Sequence, residues 1–575
     1  MTLLDHASYD KEVGGMTPDP SSPARPPADL DIVDAVIFDG AEVVAGTSLS
    51  IRDGVVTTLG SLAPATPETR TISAAGGLLT PGFVDAHVHT VFGGLESLGC
   101  DLTGAEGLEA TLALIRDHLA ATDDTAADPA ENWLTGGGWA MADFPGGVPT
   151  AGLLDDLSRE RPILLLSADH HSAWVNTKAM EVAGLDARTP TPEGGVIEKD
   201  ADGRPVGCLH ESAMDLVSSH IPAASDEDLR AGLLAGQAHL AEVGVTAWMD
   251  AIVGDYGGHR SNFDGYARAE ATGELTAEVV GSLWWPREVE DIDAEVARLL
   301  TLKRTDSGFR TTSVKFMLDG IVESRTAAMS SEYTCACGGF GTNYFTADHL
   351  QRAFAALDAA GFDIHCHAIG DAAVAAALDA FAAVSASPTG MRDDARHHIA
   401  HVQVVDPADL PRFAELGITA NLQALWACRD EQMVDLNIPC LGEERTGWQY
   451  PFAGFADAGT HLAMGSDWPV STPDPWQAIH VAVNRWHPEN ADRTPLDPAQ
   501  AIDIITALRG YTSGSAHLLR SEANGHIRLG GRANLALADR NPITLDPSRI
   551  AETRNALTIA DGIVVHDSTS SERPS

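Results

Sequence analysis

The chain has 575 residues, of which 44% are hydrophobic, and its formal net charge is −45 at pH 7. This length predicts one large domain with additions or two to three domains, and the charge argues against nucleic acid or an anionic membrane as a partner, since both would repel it. No segment approaches the roughly 20 apolar residues of a membrane span, and the first residues lack the basic start and apolar core of a signal peptide, so we expect a cytoplasmic protein.

The two ends of the chain differ from its long middle. Residues 1–28 are rich in Pro, Ser and Asp, which predicts a disordered tail. Residues 29–80 and 512–575 contain short β-type runs broken by glycine-containing turns. We therefore predict that 29–80 and 512–575 together form one composite β-sandwich.

The middle, residues 81–511, alternates short apolar strands with Ala- and Leu-rich helices such as AAVAAALDAFAAV. Fully apolar strands that alternate with helices indicate a parallel sheet covered on both faces. We therefore predict an α/β fold, a (β/α)₈ TIM barrel, with a doubly wound sheet as the alternative. The eight predicted strands are LLTPGFVDAHVH, GVTAWMDAIV, ELTAEVVGSLWW, TTSVKFMLDG, FDIHCHAIGD, HHIAHVQVV, GITANLQALW and HLAMGSDWPV.

The connection between the first two predicted strands is exceptionally long. About 150 residues separate them, far more than an ordinary strand-to-helix loop contains. This stretch has strand-like runs of its own, such as RPILLLSADHH. We therefore predict a large insertion after the first barrel strand, an inserted subdomain at about 100–240 that covers the barrel mouth.

Ionisable side chains collect at the carboxyl ends of five predicted strands. His87 and His89 are two positions apart on a strand, so both imidazoles point to the same face. In a barrel, these strand ends form the rim that carries catalytic groups. A divalent cation with an anionic partner would keep such groups together, and imidazole with carboxylate suits zinc, manganese, iron or cobalt. The set comprises His87, His89, Lys315, His365, His367, His401 and Asp467.

Lys315 is unusual because it lies inside an apolar strand of a chain that uses lysine rarely. An ammonium group cannot coordinate a cation, whereas a neutral amine that has reacted with carbon dioxide becomes a carbamate with two ligand oxygens. The structural alternative is an ion pair of Lys315 with Asp319 or Glu323.

The order of these residues resembles the signature of the amidohydrolase superfamily: HxH on the first strand, Lys on the fourth, His on the fifth and sixth, and Asp on the eighth. Stretches such as PGFVDAHVH, VKFMLDGIVESRTAAM, HCHAIGDAAV and GSDWPVSTPDP further resemble amidohydrolase family 3, the branch that contains N-substituted formamide deformylase. The resemblance extends over about residues 30–545 and implies a metal-dependent barrel with a composite sandwich. It implies one or two divalent cations, with Zn²⁺ preferred, an N6-carboxylated Lys315, and a metal centre formed by His87, His89, Lys315, His367, His401 and Asp467.

The expected activity is hydrolysis of a C–N amide-like bond other than a peptide bond, in an amide, an N-formyl amine or an N-acyl amine. A metal-activated hydroxide would attack the carbonyl, and Asp467 would act as general base and then general acid. One alternative is a cyclic amide or ester hydrolase or a deaminase on the same scaffold, although Lys315 counts against a deaminase. The other is a non-catalytic metal-dependent binding protein.

The substrate is expected to be a small molecule, and its contacts are harder to predict. His365 is expected either to support a metal ligand or to contact substrate. For each tryptophan, core packing is the alternative to substrate binding, and a homodimer is one candidate oligomeric state. The residues predicted to bind substrate are His171, Trp174, Asn176, His365, Trp426 and Trp468.

Overall fold

The computed structural model describes residues 29–60, 69–105, 107–122, 132–192, 194–256, 259–335, 338–490 and 492–569. The predicted disordered tail, residues 1–28, lies outside these described residues. Within the described residues, no helix combines the length and the apolar character needed to cross a membrane.

A central sheet of eight parallel strands follows chain order, each strand pairing with the next, and it nearly closes. The loop after the eighth strand joins the two sheet edges, because the Asp467 amide donates to the His87 carbonyl at 2.7 Å and the His89 amide to the Trp468 carbonyl at 2.9 Å. This α/β arrangement fits a TIM barrel. Its strands are Phe83–Val88, Val245–Val253, Glu278–Trp284, Phe309–Met317, Asp363–Ala368, His398–His401, Thr419–Leu422 and Leu462–Met464.

All eight predicted barrel strands are present, but the first predicted segment is divided in two. Leu78–Pro81 joins a different sheet, and only Phe83–Val88 enters the barrel. Gly82 lies between them and packs so closely on Thr246 that a Cβ atom would lie 2.2 Å from the threonine hydroxyl. The chain can therefore pass from one sheet to the other only where a residue lacks a side chain.

The helices around the barrel bury one face against it. In Ala347–Ala359 the buried positions include Leu350, Ala353 and Leu357, which share one helix face, and the Thr346 hydroxyl caps the amino end. The helices of this region are Thr90–Leu98, Asp226–Glu242, Phe263–Thr272, Ile292–Leu302, Ala347–Ala359, Asp371–Ser385, Leu410–Leu416, Ile438–Thr446, Phe452–Asp457, Pro475–Asn484, Ile504–Arg509 and Ser515–Leu518.

Two further sheets share one apolar core that draws on both of them. The four-stranded sheet contains, in spatial order, Val55–Gly60, Ser48–Arg52, Leu30–Val33 and Arg70–Ser73. The six-stranded sheet combines strands from both ends of the chain: Ile563–Asp567, Asn555–Ala560, Leu535–Ala538, Leu78–Pro81, Val36–Phe38 and Val43–Val44.

Between the first and second barrel strands, the chain forms another six-stranded sheet. Its strands, in spatial order, are Gly195–Lys199, Pro205–Glu211, Ser172–Val175, Ile163–Ser167, Leu134–Trp139 and Cys100–Asp101. The helices Leu108–Ala121, Ala151–Asp155, Thr177–Ala183 and Asp215–Ser218 accompany it. The turn at 168–171 reaches the carboxyl ends of the barrel strands, where Asp169, His170 and His171 line a cavity together with barrel residues. The insertion thus supplies part of the wall around the barrel mouth.

Candidate metal centre and active site

The carboxyl ends of five barrel strands surround one small cavity, and all six residues implied as the metal centre line it. They arrive from distant positions because each follows a buried parallel strand whose end lies on the same rim. The six residues are His87, His89, Lys315, His367, His401 and Asp467.

His87 and His89 both face Asp467. The Nε2 atoms of His87 and His89 lie 3.3 Å and 3.1 Å from Asp467 Oδ1. Despite this proximity, Asp467 Oδ1 is buried and has no aligned hydrogen bond among the described residues. Burial would raise the pKa of Asp467, but the two neighbouring imidazoles hold it well below its usual range. The arrangement fits an ionised carboxylate that shares a cation with the histidines.

His367 and His401 complete the imidazole cluster of the cavity. Their ring centroids are 4.5 Å apart, and the His401 ring is 4.8 Å from the His87 ring. His401 Nδ1 is buried without a hydrogen bond among the described residues, and ligand atoms of His87, His401 and Asp467 lie within 4.8 Å of one another. Buried polar atoms without partners are rare, and a divalent cation of the zinc type would satisfy these nitrogens and oxygens.

The backbone is strained at two of these positions. His401 and Asp467 have φ values of 74° and 59°, a left-handed conformation that costs about 1–3 kcal/mol for residues other than glycine. Both lie where a strand ends at the cavity, so the strain turns their side chains towards the centre of the rim.

Lys315 points into the same cavity and is only 1% exposed. Its Nζ atom lies 3.4 Å from His87 Nε2, and burial lowers its pKa to about 7. The alternative ion pairs are not formed: Asp319 accepts backbone amides, including that of Gly370 at 2.8 Å, and Glu323 accepts side-chain amides, including that of Asn437 at 2.7 Å. Burial therefore favours the neutral amine of Lys315 over the ammonium form.

His365 lies behind His87 rather than in the cavity wall. Its Nε2 lies 3.0 Å from His87 Nδ1, and its own Nδ1 lies 3.0 Å from the Ser282 hydroxyl. This chain of contacts fixes the His87 ring so that Nε2 faces the cavity. Of the two roles expected for His365, its placement agrees with support of a ligand and not with substrate contact.

Two residues of the insertion that were predicted to bind substrate are committed to its core. Trp174 is fully buried, donates to the Thr150 carbonyl at 2.9 Å, and packs edge-to-face on Phe144. Asn176 caps the helix Thr177–Ala183, and its amide nitrogen donates to backbone carbonyls. Neither side chain lines the cavity, because each satisfies contacts within the insertion.

His171 does line the cavity. Its Nδ1 lies 2.8 Å from Glu211, which also accepts a hydrogen bond from Thr326 at 2.9 Å. Burial would lower the pKa of His171, but the Glu211 carboxylate raises it to about 9. A positively charged imidazole beside the barrel rim is therefore held by a buried carboxylate.

The two predicted rim tryptophans face different ways. Trp426 stacks on the His401 ring at 5.1 Å with an interplanar angle of 1°, and it lines a second cavity beside the first. Trp468 packs instead against Gly93 and the ring of His239, which belong to helices outside the barrel. Of these two tryptophans, Trp426 is therefore the one that is placed to contact a bound molecule.

Asp85 is a residue of the site that sequence reasoning missed. It accepts hydrogen bonds from the His87 amide at 3.0 Å and from the Ser466 amide and hydroxyl at 3.0 and 2.6 Å. Burial raises its pKa to about 7. Asp85 thus ties the first strand to the loop that carries Asp467. A carboxylate two positions before His87 was the available signal, since it shares that strand face.

A comparison with known protein families identifies the family of this chain. The model of the amidohydrolase family matches residues 70–566, which is most of the chain. The chain belongs to the amidohydrolase family. This membership confirms the resemblance found in the sequence and makes the protein a hydrolase.

Relatives of this amidohydrolase cover nearly its whole length. It is 28% identical to the putative amidohydrolase YtcJ of Bacillus subtilis over 526 residues, which is 90% of this chain and 95% of the relative. It is 25% identical to N-substituted formamide deformylase of Arthrobacter pascens over 559 residues, 93% and 95% of the two chains. An uncharacterized metal-dependent hydrolase from Pyrococcus furiosus has the same fold, with a TM-score of 0.66, 24% identity, and coverage of 90% of this chain and 100% of that chain.

Proposed function

We propose that this protein is a metal-dependent hydrolase that cleaves a C–N amide-like bond in an amide, an N-formyl amine or an N-acyl amine. The observation that carries the proposal is the convergence of imidazoles on Asp467, where His401 Nδ1 and Asp467 Oδ1 are buried without hydrogen bonds among the described residues. Membership of the amidohydrolase family and the deformylase relative support this bond type.

Asp467 is the proton carrier in this mechanism. When bound, a divalent cation polarises a carbonyl and lowers the pKa of water, and zinc suits the imidazole and carboxylate donors that His87, His89, His367, His401 and Asp467 would provide. Asp467 accepts the proton that the attacking water loses as the C–O bond forms. It then donates that proton to the nitrogen as the C–N bond breaks, so the products are a carboxylic acid and an amine.

Lys315 would act in this mechanism as a carbamate. Its buried Nζ attacks carbon dioxide, forms an N–C bond and releases one proton. The resulting anion would offer two ligand oxygens close to His87, whose Nε2 lies 3.4 Å from Nζ. Lowering of the Lys315 pKa to about 7 by burial favours this reaction, because only the neutral amine is nucleophilic.

The proposal is tested with purified protein loaded with zinc. N-formyl amines, N-acyl amines, lactams, esters and amino-substituted heterocycles are compared by product release, and ammonia is measured separately. We expect amide cleavage to be the fastest reaction, to stop after chelation and to return with zinc. Faster opening of lactams or esters, or release of ammonia from heterocycles, would assign a different reaction to the same site.

A further inference from the structure

A second, larger cavity of about 240 Å³ adjoins the metal cavity. The two cavities share Asp169, His171 and Val470 in their walls, so a molecule that reacts at the rim can extend from one into the other. The second cavity lies between the insertion turn and the segments that follow the fourth to the eighth barrel strands. We refer to it as the side cavity.

The ionisable groups of the side cavity are mainly acidic. Its walls include Asp169, Glu323 and Asp430, and none of the described residues that line it is an arginine or a lysine. His171 is paired at 2.8 Å with Glu211, which lies outside this wall. Burial lowers the pKa of His487. His171 is therefore the one cationic side chain among the described residues of this wall, and Asp169, Glu323 and Asp430 outnumber it.

A series of side-chain hydrogen bonds connects Glu323 to three amide side chains. The carboxylate Oε1 accepts from Asn437 Nδ2 at 2.7 Å, Asn437 Oδ1 accepts from Gln403 Nε2 at 2.9 Å, and Gln403 Nε2 also donates to Gln449 at 2.9 Å. A carboxylate only accepts hydrogen bonds, so this order fixes the orientation of each amide. Gln403 Oε1 is consequently left as an acceptor in the wall, without a partner among the described residues, in a residue that is 3% exposed.

Two aromatic residues complete the wall. Tyr450 is 2% exposed and lines the cavity, and its hydroxyl forms no hydrogen bond with the described residues. Trp426 is held against the His401 ring and also lines the cavity. Aromatic faces beside carboxylates and free acceptor oxygens are the surroundings that an ammonium group prefers.

An inorganic cation fits the side cavity less well than an organic one. Among the described residues, His87, His401 and Asp467 form the only group of three or more His, Cys, Asp or Glu side chains whose ligand atoms all lie within 4.8 Å of one another. The side-cavity carboxylates are therefore too dispersed to form a shell around one metal ion, whereas an alkylammonium group needs only a few acceptors.

We propose that the side cavity binds a protonated amine of the substrate, so that the preferred substrates are amides that carry an ammonium group away from the bond that is cleaved. This inference rests on the proposed hydrolase function. The rim would hold the amide, while Glu323, Gln403 and Tyr450 would accept the N–H hydrogens of the ammonium group or face its charge.

The kinetic test compares substrates that differ only in this group. The zinc-loaded protein is given mono-N-formyl diaminobutane, N-formylpentylamine, in which a methyl group replaces the ammonium, and an analogue of the same length that ends in a carboxylate. A charge-assisted interaction predicts a kcat/KM about 10- to 100-fold higher for the ammonium substrate, mainly through a lower KM. Equal rates, or a preference for the neutral or anionic substrate, would overturn the inference while leaving amide hydrolysis intact.

The Glu323→Gln variant tests the wall itself. It keeps an oxygen that can accept from Asn437 but removes the charge, so we expect the ratio of kcat/KM for the ammonium substrate to kcat/KM for the neutral substrate to fall about 10-fold. Glu431→Gln is the matched control, because it removes the same charge from an exposed residue outside the cavity wall. An unchanged preference in Glu323→Gln, or an equal loss in Glu431→Gln, would contradict the assignment.

A binding measurement separates this inference from the proposed function. Calorimetry with butylammonium and with butanol needs no turnover, so it reports on the side cavity even if no amide is cleaved. Saturable binding of butylammonium that weakens about 10-fold in Glu323→Gln would support the cation site by itself. Absence of binding in the wild-type protein, or binding that Glu323→Gln does not weaken, would overturn it.

Discussion

The two cavities at the barrel mouth differ in how their side chains are held. The metal cavity is built from residues at the ends of barrel strands, such as His87, Lys315 and His401. The side cavity is built mainly from the insertion turn and from loops, which supply Asp169 and Gln432 among others. The rigid sheet thus fixes the groups proposed for chemistry, and the connections supply those proposed for recognition. On this division, we expect changes on the rim to reduce turnover or metal binding, and changes in the side cavity to alter substrate preference.

The largest effect is expected from Asp467→Asn. An amide cannot accept the proton from water, so we expect kcat to fall by about 10³-fold while His87, His89 and His401 still retain zinc. Steady-state kinetics and metal analysis of the same preparation measure both quantities. Asp457→Asn, an exposed helix-end substitution, is the control. Turnover near the wild-type value would remove Asp467 from the mechanism.

Lys315→Ala is expected to have the next largest effect. Loss of the carbamate removes ligand oxygens, so metal content should fall from about two ions per chain to one or none, and kcat by roughly 100-fold. Metal analysis and mass spectrometry of the intact wild-type chain are the measurements. The exposed Lys199→Ala variant should behave like the wild-type protein. A full metal content in Lys315→Ala would show that this lysine is not a ligand.

His365→Asn separates support of the rim from direct metal binding. It removes the contact with His87 Nδ1 at 3.0 Å, so the His87 ring is less well oriented and zinc affinity should fall about 10-fold. Competition with a coloured chelator measures this affinity without any substrate. His220→Asn, on an exposed residue, is the control. An unaltered zinc affinity would assign His365 to packing alone.

Asp250 provides a reference carboxylate that lines neither cavity. Burial raises its pKa to about 7, and the Tyr266 hydroxyl donates to it at 2.5 Å. The Asp250 carboxyl therefore binds its proton more tightly in the folded chain than in the unfolded chain. The contribution of this protonated carboxyl to the stability of the fold is lost as the pH rises from about 4 to about 7.

The Asp250→Asn variant isolates this small effect. Asparagine resembles the protonated acid at every pH. As the pH rises from about 4 to about 7, the free energy of unfolding of the variant should therefore increase relative to that of the wild-type protein, by at most about 1.4 kcal/mol per pH unit. Urea-unfolding midpoints between pH 5 and 8 measure the difference, with the exposed Asp264→Asn as control. A difference that does not vary with pH would show that Asp250 is ionised throughout this range.

The rim could be predicted because its signals are local. A strand fixes the relative direction of His87 and His89, and an apolar run followed by a polar residue marks the end of a buried strand, as in the segment that contains Lys315. No such local rule supported the prediction that Trp174 and Asn176 bind substrate. Their side chains are used within the insertion, and only the packing of that subdomain determines where they point.

The sequence alone determined the eight strands and the rim residues of this amidohydrolase, because hydrophobic periodicity and side-chain chemistry are properties of short segments. It also determined the acidic net charge, which follows from composition. The tertiary structure decided that Asp85 and His365 support His87 and that Glu323, Gln403 and Tyr450 share one wall. Those groups come from separate parts of the chain, and no spacing in the sequence encodes contacts that arise only when the loops pack over the barrel mouth.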